Sequence, residues 1–133
     1  MSEERVETVR RIYAAWGRGD FKPGTELYDP NVLLVLRPEF PDPGTYLGLE
    51  EIGGYMRKYF LADLEDAAII GREFIGAGDS VVVRVDQDVV GPHSGANVVL
   101  GYFQVWTFRG DSVVRIESIR ERDDALAAVG LGA

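Results

Sequence analysis

Three charged side chains stand at alternate positions in one short segment, Val83-Arg-Val-Asp-Gln-Asp88. Side chains of an extended strand alternate between faces, so Arg84, Asp86 and Asp88 share one face at i, i+2 and i+4. A guanidinium beside two carboxylates is a set suited to acid/base work. One carboxylate acts as general base, and the arginine lowers its pKa or holds an oxyanion. The same alternation also describes a solvated charge ladder, with Val81, Val83 and Val85 as the core side. Catalytic roles for Arg84 and Asp86 therefore turn on which face is enclosed.

A second constellation gathers aromatic rings around an amide. The segment Asn97-Val-Val-Leu-Gly-Tyr-Phe-Gln-Val-Trp-Thr-Phe-Arg109 is rich in β-branched and aromatic residues and reads as a long strand. One of its faces carries Tyr102, Gln104, Trp106 and Phe108. Such a face lines a small-molecule cavity or fills a packed core. Tyr13, Trp16, Tyr55 and Tyr59 add rings from segments with helical spacing. When buried, their O–H and N–H groups need partners, which Gln104, Asp86 and Arg84 can supply. His93, the single histidine, sits in the loop Gly91-Pro-His-Ser-Gly95, where it can overhang a cavity rim. One histidine and no cysteine argue against a transition-metal site, and no glycine-rich stretch has phosphate-loop spacing. No cofactor is expected.

Helices and strands must position these groups. Val6, Val9, Ile12, Tyr13 and Trp16 form one helical stripe, with Ser2 to cap it and Gly17 and Gly19 to end it. A short helix is predicted over Phe21 to Tyr28 and a strand over Asn31 to Leu36. Pro38, Pro41, Pro43 and Gly44 predict a long loop. Leu49 to Leu61 resumes helical spacing, despite Gly53 and Gly54. Four strands then follow as a meander: Glu65 to Ile75, Ser80 to Val90, Asn97 to Arg109 and Val113 to Arg122. A last helix, Asp124 to Val129, is predicted with Asp123 as its cap. Helices first and a long meander afterwards is an α+β plan, in which a twisted sheet curls around the helices.

The chain has 133 residues, 46% of them hydrophobic, which predicts one domain over residues 1–133 with a real core. Its net charge of −8 argues against nucleic-acid and anionic-membrane partners. The absence of cysteine excludes disulfides and thiolate chemistry. The first residues lack the basic-then-apolar shape of a secretory leader, and no apolar run reaches membrane-helix length. A cytoplasmic location is the expectation. The strand parities predict apolar content on both sheet faces, with Val81, Val83, Val85, Val99, Phe103 and Val105 turned away from the helices. A face so exposed needs a second cover, so a homodimer is predicted.

Several segments together resemble the nuclear-transport-factor-2-like superfamily, and within it the bacterial SnoaL-like branch. They are Tyr13-Ala-Ala-Trp-Gly-Arg-Gly-Asp20, Tyr28-Asp-Pro-Asn31, Tyr46-Leu-Gly-Leu-Glu-Glu-Ile52, Ser94-Gly95, Gln104-Val-Trp-Thr-Phe-Arg-Gly110 and Arg122-Asp-Asp-Ala-Leu-Ala-Ala-Val-Gly-Leu131. The resemblance implies a cystatin-like cone: a curved, mainly antiparallel sheet wrapped around N-terminal helices, often dimeric. It implies a small, largely apolar organic ligand inside the cone. It also implies, for an enzyme, cofactor-free cyclisation, isomerisation, dehydration or epoxide opening; the alternative is a non-catalytic dimeric ligand-binding or interaction module, in which the polar residues satisfy one another.

The resemblance favours an inward Arg84 and Asp86, paired with each other or with Gln104. Arg84-Val-Asp86 is similar to the arginine and aspartate of limonene-epoxide hydrolases, whose second aspartate is replaced by Ser118 in this sequence. Ketosteroid isomerase chemistry is not supported: Ile12, Leu36 or Arg37, and Gln104 occupy the places of its tyrosine and two aspartates. SnoaL-type cyclases use a histidine and an aspartate, for which His93 is the available imidazole. The predicted ligand-lining set is Tyr13, Trp16, Tyr55, Tyr59, Asp88, His93, Tyr102, Gln104, Trp106 and Ser118.

Overall fold

Val9, Ile12, Tyr13 and Trp16 recur at helical spacing, and the first helix, α1 (Ser2–Trp16), buries all four. Glu3 and Glu4 lie in its first turn, where negative charge suits the positive end of the helix dipole. A computed structural model describes residues 2–16, 25–38, 40, 43–56, 69–90 and 97–131. A single 3₁₀ turn, Thr25–Leu27, leads into strand β1 (Tyr28–Leu36). Then come β2 (Gly44–Leu47), α2 (Gly48–Met56), β3 (Ile69–Ala77), β4 (Ser80–Val90), β5 (Asn97–Arg109), β6 (Ser112–Ile119) and α3 (Arg122–Ala128). No described helix is long and apolar enough to cross a membrane.

The six strands form one curved sheet in the order β2-β1-β6-β5-β4-β3. The expected meander is β3 to β6, and every pairing is antiparallel except β1 against β6, which run parallel. This is the α+β cone that the sequence predicts, with α1 and α2 on one face of the sheet. Two-residue turns close the β3–β4 and β5–β6 hairpins. Gly78 and Gly110 adopt φ of +60° and +61° there, which residues with a Cβ rarely do.

Two expectations about element bounds change. The loop after Pro38 is shorter than expected, because Gly44–Leu47 pairs with β1 as an edge strand. The last helix begins at Arg122, and Glu121 stands at its N-cap with no side-chain capping bond, so Asp123 is a first-turn residue.

The assignment of sheet faces also changes. In the β4–β5 register Val83 lies opposite Gln104 and Val85 opposite Tyr102. Val81, Val83 and Val85 therefore share the face of Tyr102, Gln104 and Trp106, and pack in the main core against α1. The outer face carries Val82, Val105 and Ile119, and α3 lies over them through Ala125. That face thus has a helical cover of its own, contrary to the expectation that the helices serve one face only.

Candidate functional site

A chain of uncharged polar groups crosses the inner face of the sheet, from α1 to β6. Trp106 Nε1–H donates to Tyr13 Oη at 3.0 Å, and Tyr13 O–H donates to Gln104 Oε1. Gln104 Nε2–H donates to Ser118 Oγ at 3.2 Å. The strands set these neighbours: Gln104 stands opposite Ser118 in the β5–β6 ladder, and Trp106 lies two residues further along the same face. Tyr13 reaches them from α1, one helical turn before Trp16. All four side chains are buried, and no described buried side-chain nitrogen or oxygen lacks a partner.

A second uncharged pair lies on the same face. Tyr102 O–H donates to Gln87 Oε1 at 3.0 Å. Gln87 was not singled out from the sequence, although it shares the parity of Val81, Val83 and Val85. Rings enclose both groups. Tyr13 packs on Trp16 at 4.9 Å, on Phe74 at 5.7 Å and on Trp106 at 5.8 Å between centroids. Phe40 meets Tyr102 edge-on at 5.4 Å. Phe40 and Phe74 were also not anticipated, since each comes from a segment whose alternation alone does not show which ring it will meet.

The predicted site residues fall into three groups. Tyr13, Trp16, Tyr102, Gln104, Trp106 and Ser118 come together on the inner face. Tyr55 is half-buried at its margin, against Tyr46 at 5.0 Å. Tyr59, His93 and the side chain of Asp88 lie outside the described residues. Arg84 and Asp86 do not join the set. Both stand on the outer face, where Arg84 is exposed opposite Phe103 and Asp86 pairs with Arg72 Nε at 3.0 Å. The expectation that they point into the cone beside Gln104 is therefore overturned. The epoxide-hydrolase-like trio is divided as well, because Ser118 faces the other way.

The cause is energetic. Turning β4 over would take Val81, Val83 and Val85 out of the main core, where full burial is worth roughly 1.5–3 kcal/mol for each. It would also enclose a guanidinium and a carboxylate, whose desolvation costs several kcal/mol per ion. As a consequence Asp86→Ala is expected to change stability by less than about 1 kcal/mol, the range of surface ion pairs. Urea denaturation of the two proteins measures it; a loss of several kcal/mol would put Asp86 back inside.

Burial sets the electrostatics of the inner face. It pushes the Tyr13 hydroxyl well above its ordinary value, against a smaller opposing effect of the Trp106 hydrogen bond. Burial raises Tyr28 and Tyr102 in the same direction. All three remain neutral at any physiological pH. A group raised in the folded state contributes stability below its unfolded value, near 10, and loses it as pH rises toward the folded one. Stability is therefore expected to fall above about pH 10, by up to ~1.4 kcal/mol per pH unit for each such tyrosine. Tyrosinate absorbance from these three should appear only with unfolding; early ionisation of all six tyrosines would contradict it. Among the described residues, no group of three or more histidines, aspartates and glutamates converges to hold a metal ion.

Comparison with known proteins agrees with this fold. Residues 9–116 match the family model of the SnoaL-like domain. No curated protein matches the chain. Among solved structures, TerC co-crystallised with polyporic acid is 25% identical, with 93% of this chain and 95% of that one aligned at a TM-score of 0.72. Bal32a from a soil-derived mobile gene cassette is 23% identical over 99% and 98% of the two chains, with a TM-score of 0.77. A nuclear-transport-factor-2-like protein of unknown function from Burkholderia pseudomallei K96243 is 23% identical over 98% and 99%, with a TM-score of 0.73.

Proposed function

The chain belongs to the SnoaL-like domain family, and on that premise we propose that it binds a small, largely apolar organic molecule on the inner face of its sheet. The observation that carries this reading is the buried run Trp106–Tyr13–Gln104–Ser118 among stacked rings. A core that needed only stability would gain as much from apolar residues of the same volume, because a net hydrogen bond contributes only about 1 kcal/mol. Ring-lined faces with a few fixed polar groups are the usual construction of small-molecule sites. TerC, on a similar fold, is co-crystallised with polyporic acid, which supports a small organic molecule as the ligand here.

Binding stands ahead of acid/base turnover in this reading, because every described polar side chain of the inner face is neutral. A cyclase, isomerase or dehydratase needs a group that accepts a proton near neutral pH. Arg84 and Asp86, the sequence's candidates for that work, lie on the outer face. We also propose a homodimer, through the outer face where Phe103 and Ile75 are only half-buried beside α3. Sedimentation at micromolar concentration tests it: twice the chain mass is expected, and a monomer removes the idea.

Both tryptophans of the chain, Trp16 and Trp106, lie against Tyr13, so intrinsic fluorescence reports directly on this face. Titration with polyporic acid, naphthoquinones and terpene-like epoxides should give saturable heat and a fluorescence change for at least one ring compound. Turnover is followed in the same samples. Silence across the whole panel by both measurements would refute the reading. Product formation would promote the enzyme reading over the binding one.

A further inference from the structure

Tryptophan is a donor only, and that fact fixes the direction of the whole chain of bonds. Trp106 Nε1–H occupies the Tyr13 oxygen, so the Tyr13 proton goes to Gln104 Oε1. The amide is thereby oriented with its NH₂ toward Ser118, whose oxygen accepts one of the two hydrogens. Two protons are left unspent by these bonds: the Ser118 hydroxyl hydrogen and the second N–H of Gln104. The Tyr102–Gln87 pair has the same polarity, for the Gln87 carbonyl oxygen is occupied and its NH₂ is not used by that bond.

No described charge faces this set. On α1, Arg5 is held at the Gly78 and Gly110 turns, and exposed Arg10 lies 4.8 Å from the centre of the Phe74 ring, beside Glu7. On the outer face, Arg72 pairs with Asp86 and Glu73 with Arg122. Arg84 is exposed there, and Glu117 pairs with Arg37 and Arg115. Tyr13, Tyr28 and Tyr102 are held neutral by burial.

Resting on the binding reading above, we infer that this face selects an uncharged ligand and recognises it through a hydrogen-bond acceptor, such as a ring carbonyl, with Ser118 and Gln104 as donors. An ionised ligand would lose its hydration with no opposite charge to replace it. A ligand with only hydrogen-bond donors would meet donors. A neutral ketone, quinone or ester presents its oxygen to groups that have protons left to give.

Three ring compounds of one size test this with the wild-type protein: lawsone, a hydroxynaphthoquinone that is ionised at neutral pH; its neutral methyl ether; and methoxynaphthalene, which has no carbonyl. By calorimetry the methyl ether should bind about tenfold or more tighter than either of the others at neutral pH. Lowering the pH through lawsone's own ionisation should bring its affinity up to that of the ether. Equal affinity for ionised lawsone and the ether would overturn the charge selection and leave the binding reading intact. Equal affinity for methoxynaphthalene would overturn the acceptor. Binding of none of the three, nor of the wider panel, would remove the binding reading and this inference together.

Discussion

Tyr13→Phe is expected to destabilise the protein by about 2–6 kcal/mol, although it removes a single oxygen atom. The change strands two buried groups, the Trp106 N–H and the Gln104 carbonyl oxygen, each costing roughly 1–3 kcal/mol when unsatisfied. Gln104→Leu likewise strands two, the Tyr13 hydroxyl and one lone pair of Ser118. In the double variant the Tyr13–Gln104 bond has lost both partners, so only the Trp106 and Ser118 ends remain orphaned. The double should therefore cost clearly less than the sum of the singles, a coupling of about 1–3 kcal/mol. Urea unfolding gives all four corners of the cycle, with an unchanged m-value as the check that the denatured state is not altered. Strict additivity would mean that Tyr13 and Gln104 do not bond.

Arg5→Ala should also be costly, by about 2 kcal/mol, although Arg5 has no part in the proposed site. Its guanidinium joins three elements that are far apart in sequence. One nitrogen donates to Gly78 O at 3.1 Å and to Asp79 Oδ1 at 3.0 Å, and the other to Gly110 O at 3.1 Å. The group also lies 5.8 Å from the Phe108 ring centre. Thus α1 is tied to both hairpin turns at one end of the sheet. Lysine lacks the planar fork that reaches two turns at once, so Arg5→Lys should recover only part of the loss. A thermal melt decides it; a lysine variant as stable as wild type would show that charge alone suffices.

Much of the fold is legible in the sequence, because its signals are local. The stripe Val9, Ile12, Tyr13 and Trp16 marks α1, and the glycine turns Gly78-Asp79 and Gly110-Asp111 fix two hairpins. The β5–β6 register is less direct: from the two-residue turn alone Gln104 would face Glu117, and a one-residue irregularity between Thr107 and Phe108 moves it opposite Ser118. The β4–β5 register is different. Six residues, 91–96, separate those strands, and such a length does not dictate which partner faces which. Placing Arg84 rather than Val83 beside Gln104 is a shift of one residue, and one residue exchanges the faces of an entire strand. The run Val81-Val82-Val83 conceals the parity further, because both faces of β4 have apolar cover. Strand β2 was masked by the prolines before it. The parallel β1–β6 pairing leaves no local trace, because its partners are about eighty residues apart.

That pairing has a consequence for how the molecule is made. β1 sits between β2, which follows it closely in the chain, and β6, the last of the described strands. While the ribosome is still producing β3 to β5, the inner strand β1 can pair along one edge only, with the four-residue β2. Its other edge, and the apolar side chains of Val32, Leu34 and Leu36, must wait for Ser112–Ile119 to emerge. The sheet is thus completed by a late closure of the first strand onto the last, a pairing of long sequence separation and correspondingly slow formation. Until then the nascent chain carries an open strand edge of the kind that recruits neighbouring chains, which makes the interval before β6 emerges the vulnerable stage of biosynthesis.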